Sequence, residues 1–143
     1  MRLHTASEVI SLARELESES AKLYRDLARR YPKNGDALAL FAKENEGNIV
    51  QIERAYYGVI TDAIEGGFAF DMESDEYTFD TSPEKDTGYP DALHKVISIE
   101  EKIVKFYSDA ARQSDTLMAD IPRAFRQVVK KRETRLTKLM QLL

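Results

Sequence analysis

The chain has 143 residues and a net charge of −4, from 21 Lys and Arg against 25 Asp and Glu. That length suits one domain, and the mild acidity argues against general nucleic-acid binding. Cysteine is absent, which excludes disulfides, thiolate catalysis, iron–sulfur clusters and Cys-x-x-Cys modules, so any redox chemistry would draw its electrons from an external donor.

Gly and Pro are scarce while Ala, Leu, Glu, Lys and Arg are plentiful, so an all-α fold is expected. The opening Met1-Arg2-Leu3-His4 has no signal-like apolar region and leads into an amphipathic pattern. No apolar run is long enough to span a bilayer, and a cytoplasmic protein without membrane contact is the expectation.

Thr5 and Glu8 predict a capping box, after which Ile10, Ala13, Ala21, Tyr24 and Ala28 recur at helical spacing until Pro32 and Gly35. Asp36 is placed to cap a second helix, with Leu38, Phe41, Ala42, Ile49, Ile52 and Tyr56 inward until Gly66-Gly67. Residues 66–90 form an acidic linker interspersed with Phe68, Phe70, Tyr77 and Phe79. A helix of roughly 20 residues is about 30 Å long and about ten extended residues cover that distance, so the linker can cross a bundle with its aromatics tacked onto the helices. A third helix from near Asp91 shows Leu93, Ile97, Val104, Tyr107 and Ala111, fading at Gln113-Ser114-Asp115. A fourth, started by Asp120 and Pro122, is expected to turn Phe125, Val129, Leu136 and Met140 inward. The whole chain, 1–143, reads as one four-helix bundle of two hairpins joined by a long crossover.

Two stretches repeat one another: Glu17, Lys22, Tyr24, Asp26, Ala28 and Arg29 recur in order and spacing as Glu100, Lys105, Tyr107, Asp109, Ala111 and Arg112. Each copy sets a Glu on the apolar face with a Tyr seven residues later. Unpaired buried charge costs several kcal/mol or more, so such carboxylates require an ion or a tight hydrogen-bonded network. On the fourth helix Glu133 falls on the predicted inner line, and on the second Asn45 and Asn48 do.

The paired Glu-x6-Tyr motif, the phrase Phe41-Ala42-Lys43-Glu44-Asn45-Glu46-Gly47-Asn48 and the long link after the second helix resemble the rubrerythrin branch of the ferritin-like superfamily. That resemblance covers nearly the whole chain and implies a ferritin-like bundle. A di-iron centre in such bundles takes one Glu from each of two helices and a Glu-x-x-His pair from each of the others. Glu17 and Glu100 match the single glutamates, Asn45-x-x-Asn48 stands for one pair and Glu133-x-x-Leu136 for the other, so both histidine positions have changed. His4 and His94 lie near helix starts, away from these lines.

Two functions follow from the resemblance. In the favoured one the di-iron site has decayed, and the carboxylates are satisfied by protonation or by hydrogen bonds from Asn45, Asn48, Tyr24 and Tyr107; no cofactor is bound and the bundle acts through a partner or itself. In the alternative, Glu17, Glu100 and Glu133 hold iron or manganese in a peroxidase- or ferroxidase-type oxidoreductase, with Glu44 or Glu46 swinging inward from the second helix. Arg123, Arg126, Lys130, Lys131, Arg132, Arg135 and Lys138 make the fourth helix basic. They read as a solvated face paired with the acidic linker, or as a docking surface for an acidic protein. Tyr56 and Tyr57 mark a surface where a second subunit would pack as a dimer.

Overall fold

The computed structural model describes residues 1–59, 69–81, 88–116 and 120–143. Gly66, Gly67 and Phe68 lie outside the described residues. Four long helices account for most of the described chain: α1 (Ala6–Arg30), α2 (Gly35–Val59), α3 (Tyr89–Gln113) and α4 (Asp120–Leu142). The all-α bundle expected from composition is therefore present, and among the described residues no helix is long and apolar enough to cross a membrane.

The predicted capping box starts α1: Thr5 Oγ1 accepts from the Glu8 amide at 3.2 Å, and the Glu8 carboxylate accepts from the Thr5 amide at 3.1 Å. Amide bonds from His4 and Thr5 hold the Glu8 carboxyl below its usual range. Tyr31 caps the far end, and Pro32 opens a short 3₁₀ turn, Pro32–Asn34, into α2. The helix starts at Gly35, one residue before the expected cap, so Asp36 lies in the first turn, where its charge suits the helix dipole. A Cβ at Gly35 would lie 3.1 Å from the Ala28 carbonyl oxygen, which explains a glycine at this close passage.

Polar pairs give the helix directions. Arg14 bonds Glu53 and Arg25 bonds Glu46, so α1 and α2 are antiparallel. Tyr24 meets Glu100 and Tyr107 meets Glu17, so α1 and α3 are too. Arg132 of α4 meets Glu100 of α3, and Arg126 meets Asp115 in the 3₁₀ turn Ser114–Thr116 that follows α3. Residues 69–81 run back along α3: the Asp71 amide binds Gln113, Tyr77 binds Asp109 and the Thr78 carbonyl accepts from Lys102. Phe70 and Tyr77 are buried there and Phe79 packs against the core, as expected of aromatics that tack this segment down. A two-residue antiparallel ladder, Arg2–Leu3 with Met72–Glu73, ties it to the start of the chain, where a helix entry alone was expected.

The apolar interior falls into two clusters. One joins Ala6–Leu16 residues of α1 to Ile52, Tyr56, Ile103, Phe106, Phe125 and Val128; the other joins Tyr24 and Leu27 to Leu38, Phe41, Leu93, Val96 and Leu139. In every helix the residues between the clusters are polar: Glu17 and Ser20, Asn45 and Asn48, Glu100, Arg132 and Arg135, all buried.

The predicted inner faces of the first three helices hold, with Ala28, Ile49 and Val104 at half-buried margins. That of α4 holds in part: Phe125 is buried and Val129 and Leu136 pack against the core from half-buried positions, whereas Glu133 and Met140 do not turn inward. Its buried line is Ile121, Phe125, Val128, Arg132, Arg135 and Leu139, a regular alternation of four- and three-residue steps. Glu133 is exposed and Met140 is 53% exposed, each one residue, or about 100°, round the helix from the expected position. The reason is electrostatic: two carboxylates already fill the interior from α1 and α3, and a third would raise the repulsion that Arg132 removes.

Candidate functional site: a buried carboxylate–guanidinium layer

Glu17 and Glu100 enter the core from α1 and α3, where the repeated motif puts them on equivalent turns. A Tyr seven residues along its own helix is about 10 Å away by helical rise, too far to bond its own Glu. The antiparallel packing solves this reciprocally. The Tyr24 hydroxyl donates to Glu100 Oε1 at 2.5 Å, and the Tyr107 hydroxyl donates to Glu17 Oε1 at 2.8 Å. The sequence repeat is thus an approximate two-fold relation inside the core.

Arg132 lies between the two carboxylates with no exposed side-chain surface. Its Nη2 and Nε donate to Glu17 Oε2 and Oε1 at 2.6 and 3.3 Å, a fork, while Nη1 donates to Glu100 Oε1 at 2.6 Å. Arg135 adds a second cation one turn on: Nη1 donates to Asn45 Oδ1 at 2.7 Å and Glu100 Oε1 at 3.1 Å, and Nη2 to the Phe41 carbonyl and Glu44. Its guanidinium carbon is 5.2 Å from the Tyr24 ring centroid and 5.0 Å from that of Phe41, within cation–π range. Two buried carboxylates therefore face two buried guanidiniums, and the fully buried charges cancel.

The ionisation states follow. Burial pushes the Glu100 carboxyl up, but Arg132 and Arg135 outweigh it and hold the group below its usual range. Burial raises the Tyr24 and Tyr107 phenols well above theirs, with Glu100 and Glu17 adding to it, so both remain hydrogen-bond donors. Burial disfavours the Arg132 cation, yet Glu100 and Glu17 more than restore it. Protonation of the carboxylates, one of the expected routes to neutrality, is therefore not the one used at Glu100.

Asn45 and Asn48 are buried on α2 as expected, with partly different tasks. Asn45 Nδ2 donates to Ser20 Oγ at 2.6 Å and to the Glu17 backbone carbonyl at 3.0 Å, pinning α2 to α1. Asn48 Nδ2 reaches Glu17 Oε1 only at 3.5 Å, the limit of a hydrogen bond. Glu44 is half-buried on Arg135, and exposed Glu46 pairs with Arg25; neither swings toward Glu17. His94 is exposed on α3, and His4 faces the Phe70 carbonyl. Of the basic residues on α4, Arg132 and Arg135 are interior, Arg123 and Arg126 pair with Asp120 and Asp115, and Lys131 reaches Gln51. Of the acidic linker residues, Asp71, Glu73 and Glu76 pair with Arg2, the N-terminal amine and Lys105 rather than with α4, and Glu84 and Asp86 lie outside the described residues.

The ligand set implied by the resemblance can be compared with this geometry. Among the described residues no group of three or more His, Cys, Asp or Glu could hold a metal ion. Glu133 lies on the exposed face of α4, and both Glu17 oxygens and Glu100 Oε1 bind a permanent cation, while Glu100 Oε2 is buried with no hydrogen-bond partner among the described residues. As arranged, these residues do not fit a di-metal centre: a divalent ion there would meet a guanidinium that cannot lose its charge. Sequence reading missed Arg132 and Arg135 because arginine reads as surface; their seven-residue phasing with Phe125 and Val128 was the available signal.

Replacing Tyr107 with Phe removes a bond to a buried carboxylate and is expected to cost about 1.5–3 kcal/mol, with Tyr24→Phe similar. Urea denaturation of both variants checks this, and losses under 0.5 kcal/mol would contradict the pairing.

The fold and this layer define an all-α four-helix bundle whose core is closed by a charge-balanced carboxylate–guanidinium network. No protein-family model, curated protein or solved structure matches the chain.

Proposed function

We propose that this chain is a rubrerythrin-like, ferritin-like bundle in which an arginine has taken over the work of the metal, leaving a non-catalytic protein that acts by association with a partner or with itself. The observation that carries the reading is Arg132, which bridges Glu17 and Glu100 at 2.6 Å each. A cation tethered to α4 binds the same two carboxylates that a bridged metal pair would, without an exchangeable ion. The course of residues 69–81 along α3 suits a long connection between two hairpins, and the reciprocal Glu–Tyr pairs suit a duplicated hairpin. The competing reading, an iron or manganese oxidoreductase on Glu17, Glu100 and Glu133, needs Arg132 expelled and α4 rotated.

The test is elemental analysis of protein expressed with iron and manganese and purified without chelator, combined with thermal melts with and without EDTA. Well below one metal per chain and an unchanged melting temperature are expected. About two metals per chain, lost with a fall in melting temperature, would restore the oxidoreductase.

A further inference from the structure

We propose that the groove between α2 and α4 binds a small phosphate monoester, held at the outer edge of Arg135; the inference goes beyond the association reading above and stands on Arg135 rather than on Arg132. Glu44 and Gly47 of α2 face Lys131, Thr134, Arg135 and Lys138 of α4 across a groove of about 430 Å³, in the size range of small-ligand sites. The arginine in its wall is only half used. Arginine grips an oxyanion through the paired N–H bonds of Nε and Nη2, the edge with which Arg132 holds Glu17. At Arg135 the Nη1 side is turned to the core, on Asn45 and Glu100. Nη2 donates to the Phe41 carbonyl at 3.3 Å and to Glu44 at 3.2 Å, both at the groove, and Nε is buried with no hydrogen-bond partner among the described residues. Buried donors without acceptors are rare in native structures, so this edge calls for a second oxygen.

Glu44 marks the position that the ligand takes. Its side chain is 35% exposed and meets Nη2 with one oxygen only, so it can leave for solvent and yield the edge to a stronger acceptor. Charge selects that acceptor. Arg135 is already balanced in the core by Glu100, so with Glu44 displaced the groove holds the unmatched charges of Lys131 and Lys138. Among the described residues Lys131 donates only to neutral amide oxygens, of Asn48 at 3.4 Å and Gln51 at 2.8 Å, and Lys138 has no partner. Two unmatched cations beside a two-pronged donor suit a phosphate monoester, which carries about −1.5 to −2 charges at neutral pH, better than a carboxylate with one. Room for the organic part of the ester is present as well: Gly47 lines the groove, and a Cβ there would meet nothing within 4 Å.

Isothermal titration calorimetry of the full chain, at neutral pH and fixed ionic strength, tests this with phenyl phosphate, inorganic phosphate and benzoate. Saturable binding of phenyl phosphate is expected, tighter than that of either other anion. Lys138→Glu should weaken it about tenfold or more, since a like charge then faces the ligand. Glu44→Gln should tighten it about two- to fivefold, because the competing carboxylate is gone. Gly47→Leu fills the open space while improving helix propensity, and should abolish binding without lowering the melting temperature. Lys130→Glu, in the separate groove between α3 and α4, should leave the affinity unchanged. No saturable binding, a loss in Lys130→Glu as large as in Lys138→Glu, or binding that Gly47→Leu leaves intact overturns the proposal. Benzoate or inorganic phosphate bound as tightly as phenyl phosphate overturns the assignment of a phosphate monoester.

Discussion

Replacing Arg132 with methionine is expected to destabilise the bundle by about 3–5 kcal/mol at neutral pH, because it leaves buried carboxylate charge uncompensated. Glu17 is hit hardest: Arg132 is its ion-pair partner, whereas Glu100 keeps Arg135. The pH dependence should change sign. In the natural chain the depressed folded pKa of Glu100 contributes stability that is present above its unfolded value, near 4.3, and lost as pH falls through the folded value. In Arg132→Met the core carries one more buried carboxylate charge than cations, and proton uptake on acidification relieves that excess, so the penalty is greatest at neutral pH. Urea denaturation at pH 7 and pH 5 reads this directly: the natural chain should not gain stability at pH 5, and the variant should. Adding Glu17→Gln to Arg132→Met restores the charge balance and should recover most of the loss, whereas strictly additive losses would show that the pair is not coupled.

Glu100→Gln is expected to cost a similar amount, about 3–5 kcal/mol, without any acid rescue. Glu100 Oε1 accepts from Tyr24, Arg132 and Arg135 together, and its loss leaves two buried guanidiniums facing one carboxylate. Carboxylates can take up a proton within the accessible pH range; guanidiniums cannot give one up. A variant that recovers stability at pH 5 would show that the excess positive charge is not what destabilises it. Together the two substitutions distinguish a charge-balanced core from a merely polar one, since a neutral hydrogen-bonded layer would give small losses of the same pH sign for both.

This layer also decides what chemistry is open to the protein. Each carboxylate that a metal would need is held by a cation with a fixed charge and a fixed tether, in a core closed at both ends by apolar clusters. Stability and metal affinity are therefore opposed here, because an incoming ion must displace Arg132 and leave a guanidinium without its carboxylates.

Much of this was legible in the chain. The capping box at Thr5, the stop at Pro32, the start at Asp120, the inner faces of three helices and the burial of Glu17, Glu100, Asn45 and Asn48 follow from local chemistry and periodicity, which depend on neighbours in sequence. The Glu-x6-Tyr repeat likewise announced two buried carboxylates beside phenols. Only the tertiary structure decided which phenol serves which carboxylate, since within one helix the partners are two turns apart and across the antiparallel pair they touch. It also decided which way α4 turns. Apolar counting favoured Glu133 and Met140 inward beside the half-buried Leu136, while the charge already buried by α1 and α3 favoured Arg132 and Arg135. The cost of an uncompensated buried carboxylate exceeds the gain from burying one more methionine, and that comparison exists only once the helices are brought together.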